Sequence, residues 1–142
     1  MLKSITKTDG LSLIEATIAI AVLAVGLLAI IQLFPFSMKV SRTAEQSTIA
    51  ANLAQAKIEE MFSLGYENIS IGTIEAKHRL SADSENPFYY YQRQTIAEYV
   101  DGNLATSASA TGMKKISVTV YWTSPSTGLE RNLPVNVLIS QK

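Results

Sequence analysis

From Ala16 to Met38 the chain carries no charged side chain, and beyond Lys39 the apolar residues thin out to a helical spacing before giving way to alternation. At about 1.5 Å per residue the uncharged run would extend roughly 34 Å, enough for a bilayer hydrocarbon core of about 30 Å. From Lys39 to Leu64, Val40, Ala44, Ser47, Ala51, Ala54, Ile58, Met61 and Phe62 fall within about 100° of arc, which predicts one buried stripe on an amphipathic helix. Ile49, Leu53 and Ala56 form a narrower strip on the opposite side, equally suited to a subunit contact or to plain surface. Gly65 is the expected helix stop.

Residues 65–87 show little periodicity; Ile69, Ile71, Ile74 and Leu80 suggest short extended pieces within a variable loop. Phe88 to Val100 reads as a strand rich in tyrosine. Covering a small sheet is the commoner use of such residues, ahead of binding a sugar or a protein. A Ser/Ala/Thr/Gly-rich loop over 101–112 leads to the clearest hairpin. Ile116, Val118, Val120 and Trp122 alternate with polar residues, Ser124 to Gly128 turn, and Leu133, Val135, Val137 and Ile139 alternate back. Pro134 places that last strand at an edge or with its nitrogen turned away from a partner. A long helix followed by antiparallel strands predicts an α+β head, with the stripe of the second half-helix as the surface its apolar face covers.

Composition narrows the function classes. The chain has 142 residues, 12 basic and 12 acidic side chains, one histidine and no cysteine. Disulfide scaffolds and thiol chemistry are excluded, and balanced charge gives nucleic-acid binding no support. Lys114-Lys115, the densest basic cluster, reads as an edge-strand solubility device. His78 lacks a Cys or His partner and reads as a surface histidine. With no glycine-rich phosphate loop and no histidine beside a nucleophile, the expectation is a protein that is not an enzyme, with no metal and no cofactor.

Glu15, at the edge of the lipid-compatible run, is then the residue that requires an explanation, because an acid in that setting is a functional-site hypothesis by default. A secretory signal has a shorter apolar region and a cleavage site after it. A plain anchor leaves Glu15 unexplained. Lys7-Thr8-Asp9-Gly10 followed by Leu11-Ser12-Leu13-Ile14-Glu15 and an Ala/Ile/Val/Leu helix resembles the signature of the type IV prepilin-like family, in which a glycine precedes an apolar residue and a glutamate stands fifth in the mature chain. Ala24 to Ile30 and Ala50 to Met61 resemble the V-type minor pilins and I-type minor pseudopilins.

The resemblance implies a leader over 1–10 cut after Gly10 by prepilin peptidase and N-methylation of Leu11, where phenylalanine is commonest in the family. It further implies a transmembrane and assembly half-helix over 11–38, an amphipathic half over 39–64 and a β-rich head over 65–142, in the pilin-like fold. Gly10 suits a protease cleft because it has no Cβ. A free ammonium on Leu11 would share one helix face with Glu15, and the family favours pairing between subunits. Pro35 should break the helix. The implied partners are prepilin peptidase, other pilin or pseudopilin subunits, an inner-membrane assembly platform, and membrane lipid before assembly. The implied location is the inner membrane with the head outside the cytoplasm, then a pilus or secretion pseudopilus. The competing expectation is a single-pass anchored binding module that never enters a fibre and does not need Glu15.

Overall fold

A computed structural model describes residues 12–124 and 127–141. One helix, α1, runs from Leu13 to Leu64 and is followed by strands β1 (Gly72–Arg79), β2 (Tyr91–Val100), β3 (Thr106–Ser107), β4 (Met113–Thr123) and β5 (Glu130–Ser140). Two 3₁₀ turns, Tyr66–Asn68 and Pro87–Tyr90, lead towards β1 and into β2. The chain falls into two compact units, Met1–Ser41 and Arg42–Lys142. The fold is α+β: a long N-terminal helix and one small antiparallel sheet.

In the first unit every described residue is exposed, including Leu13, Ile20, Leu23, Ile30 and Phe34. The large apolar side chains of this stretch are therefore left uncovered. This helix is long and apolar enough to cross a membrane. The expected break at Pro35 is corrected: α1 continues through it. A proline removes one donor and crowds the carbonyl of the preceding turn, but the turns on either side keep their own hydrogen bonds, and apolar helices tolerate this. The proline's mark is a surface hollow lined by Ile30, Ile31, Phe34 and Pro35.

In the second unit the sheet order is β1-β2-β4-β5, with β3 pairing on β2. The β4–β5 hairpin pairs Thr123 with Glu130 through to Met113 with Ser140. Ile116, Val118, Val120 and Trp122 are buried, and Leu133, Val135, Val137 and Ile139 pack beside them, as the alternation predicts. β5 is an edge strand, so Pro134 costs no outer ladder bond. The helix contributes Ala50, Ala54, Ile58 and Met61 to the same core. That stripe is turned from the expected one: Val40, Ala44, Ala51 and Phe62 are exposed, whereas Ile49 and Leu53 pack against the core. Both stripes share Ala54, Ile58 and Met61, and a rotation by part of one residue step of about 100° is invisible when alanines populate both sides. Gly65, at φ 75°, ends the helix as expected.

Two further expectations are corrected. Residues 65–87 are not simply a loop, since β1 pairs antiparallel with β2 over Gly72–Arg79. Its register slips between Thr73 and Glu75 and again between Glu75 and His78, so Ile74 and Glu75 are both partly buried and period-two alternation is lost. The tyrosine-rich strand begins at Tyr91, because Pro87–Tyr90 forms a 3₁₀ turn capped by Asn86, whose side chain accepts from the Phe88 N–H at 2.8 Å.

Lys114-Lys115 is not an edge device, since β4 lies between β2 and β5. Lys114 is 5% exposed, and its Nζ donates to the carbonyls of Tyr66 at 2.6 Å and Ile69 at 2.8 Å. The ammonium also lies 4.1 Å from the centre of the Tyr66 ring. It thus ties the turn after α1 to the sheet. Lys114→Met leaves two carbonyls without that donor and is expected to cost about 1.5–3 kcal/mol. Lys115, whose ion pair with Glu98 is partly exposed, should change stability by less than about 1 kcal/mol when replaced by Met. Urea midpoints of the two variants check the contrast.

Candidate functional site

The first candidate is the start of α1. Gly10 and Leu11 lie outside the described residues. Glu15 stands in the first helical turn, where the unpaired N–H groups and the helix dipole favour an acid. It is exposed and makes no ion pair among the described residues. Ser12 accepts the Ala16 N–H at 3.0 Å, and the Thr17 hydroxyl donates back to the Leu13 carbonyl at 2.8 Å. These two bonds close the first turn within the helix, and Glu15 is the one charged side chain among the described residues from Ser12 to Met38.

The second candidate is an ionic network in the head that the sequence did not single out. The Arg93 Nε donates to Glu75 Oε2 and its second terminal nitrogen to Oε1, both at 2.9 Å. The Thr95 hydroxyl adds a bond to Oε2 at 2.8 Å. Side-chain exposure is 15% for Arg93 and 13% for Glu75, so the fork is largely withdrawn from water. His78 Nε2 lies 3.4 Å from Oε1, and Lys57, itself paired with Glu60 at 2.7 Å, contributes a further positive charge. Burial pushes the Glu75 carboxyl up. The bonds from Arg93 and Thr95 and the charges of Arg93 and Lys57 outweigh it and hold the group below its ordinary value.

The bulge around Glu75 turns this acid inward, and Arg93 and Thr95 share the inner face of β2 with buried Tyr91 and Ala97. Arg93 also reaches the Leu53 carbonyl at 3.4 Å, linking helix to sheet. A bidentate, charge-balanced fork with no open coordination position is suited to holding elements together. The described residues contain no group of three or more His, Cys, Asp or Glu side chains placed to hold a metal. His78 is exposed, its Nδ1 2.9 Å from the Ala76 carbonyl.

The tyrosines divide by location. Tyr91 is buried against Trp122, ring centres 6.4 Å apart, whereas Tyr90 is 66% exposed and meets Tyr89 edge to face at 5.3 Å. Tyr89 in turn lies under the Arg79 guanidinium at 4.4 Å. No protein-family model, curated protein or solved structure matches this chain.

Proposed function

We propose that this chain is a structural subunit of a helical surface fibre, a minor pilin or pseudopilin, that acts by assembly and not by catalysis. The observation that carries the reading is the division of one 52-residue helix. Its first part is apolar and uncovered and bears a lone acid in the first turn, while residues beyond Arg42 build the core of a β head. A soluble monomer gains nothing from such a helix. A subunit that waits in lipid and then exchanges lipid for neighbouring helices requires it, and the small residues Ala16, Ala19, Ala24, Gly26 and Ala29 allow close helix approach.

In this reading prepilin peptidase cuts after Gly10 and methylates Leu11, and Glu15 neutralises that amino terminus on a neighbouring subunit as the chain leaves the membrane. The assembly platform and other subunits are its working partners. The head stays outside the cytoplasm. Intact-mass measurement of protein extracted from membranes of a host with active prepilin peptidase tests this. Loss of residues 1–10 with gain of one methyl group is expected; a retained leader would refute the reading.

A further inference from the structure

We propose that a groove in the Arg42–Lys142 unit binds the zwitterionic headgroup of a membrane phosphatidylethanolamine. The inference rests on the membrane reading above. The groove has a volume of about 360 Å³ and is lined by Arg42, Glu45, Gln46 and Ile49 from α1 and by Pro87, Tyr90, Tyr91, Trp122 and Thr123 from the head. That volume is at the small end for ligand pockets, about 300–1,000 Å³, and suits a headgroup better than an acyl chain.

The four helix residues recur at helical spacing, so one face of α1 presents a cation and an anion side by side over an aromatic wall. Neither Arg42 nor Glu45 forms an ion pair among the described residues, although each is exposed and free to do so. Opposite charges left unspent on one groove match a ligand that carries both. Arg42 suits a phosphate, to which a guanidinium donates two parallel bonds. Glu45 and the exposed Tyr90 ring suit a primary ammonium, by charge and by the ring quadrupole. An anionic lipid would find Glu45 repulsive, so the acid sets the preference.

Two other observations concern residues that line the same groove. Trp122 is 5% exposed, and its Nε1–H is the buried side-chain polar atom left without an acceptor among the described residues. The Tyr91 hydroxyl donates to the Gln46 carbonyl at 3.4 Å, and burial followed by the charge of Glu45 pushes its phenol above the ordinary value. In sequence, Arg42 comes about one helical turn after Met38, where the uncharged run ends. Basic side chains are among those that flank a membrane-length run.

Trp122 is the chain's single tryptophan, so the groove carries its own reporter. The full chain is placed in nanodiscs of phosphatidylglycerol with a rising fraction of phosphatidylethanolamine, and Trp122 emission is followed. A saturable shift is expected, with the half-saturating fraction rising at least threefold in Arg42→Gln and in Glu45→Gln and unchanged in Glu59→Gln. Emission that ignores phosphatidylethanolamine, or a shift that both groove variants retain at the original fraction, overturns the proposal. An unchanged urea midpoint shows that each variant is folded. The measurement needs neither processing nor assembly. A retained leader with an intact shift would therefore remove the fibre reading and keep this site, and the reverse pattern would do the opposite.

Discussion

Arg93→Met is expected to destabilise the head by about 3–5 kcal/mol, the cost of leaving one partner of a buried ion pair without the other. The guanidinium supplies two of the three hydrogen bonds that hold the Glu75 carboxylate, and it also bonds the Leu53 carbonyl of α1. Methionine fills much of the volume but donates nothing. Adding Glu75→Gln in the same chain removes the stranded charge and should recover more than half of the loss. Urea unfolding of the full chain in detergent, followed by Trp122 emission, measures all three. A loss below about 1 kcal/mol, the range of exposed pairs, would show the fork to be solvated.

The pH dependence is a second reading of the same network. Because the folded-state value of Glu75 is depressed, the unfolded chain binds more protons near the ordinary carboxylate range. Its contribution is fully present above that range and is lost as pH falls through it towards the folded value. In Arg93→Met the lowering from the guanidinium is gone while burial still acts, so the acid-side loss due to Glu75 should disappear. His78, Lys57 and Thr95 face the same carboxylate, and all three are present in both proteins. Stability profiles of the two proteins below neutral pH make the comparison.

The hairpin and the membrane-length helix were legible because their signals are strictly periodic over many residues. β1 was not, since two register slips around Glu75 erase the alternation that identifies a strand. Lys114 is instructive for the opposite reason. It keeps step with Ile116, Val118, Val120 and Trp122, so the pattern already placed it on the inner face. Reading the two lysines as a unit obscured that one points in and the other out. Arg93 and Thr95 likewise follow the inward register of Tyr91 and Ala97, but the acid they serve comes from another strand, and a pairing across strands is not local information. The groove escaped for the same reason, as its walls are assembled from separated stretches of chain.

If the chain is the fibre subunit proposed above, Glu15→Ala should leave cleavage, membrane insertion and head folding intact while removing the subunit from fibres. The core and the residues packed on it lie between Ile49 and Ile139, so Trp122 emission and the urea midpoint are expected not to change. Magnitude separates the two roles an acid can have in this turn. An acid that merely complements the helix dipole contributes about 0.3–1 kcal/mol, which at 1.4 kcal/mol per tenfold changes incorporation by about fivefold at most. An acid that neutralises an ammonium between packed apolar helices leaves a buried charge unpaired when removed, at about 3–5 kcal/mol, or more than about a hundredfold. Quantifying tagged subunit in sheared fibres against the membrane pool distinguishes them. Glu15→Asp keeps the charge on a shorter arm and should fall between wild type and alanine. An anchored module would show wild-type function in both variants, because nothing in its head depends on a charge at the start of α1.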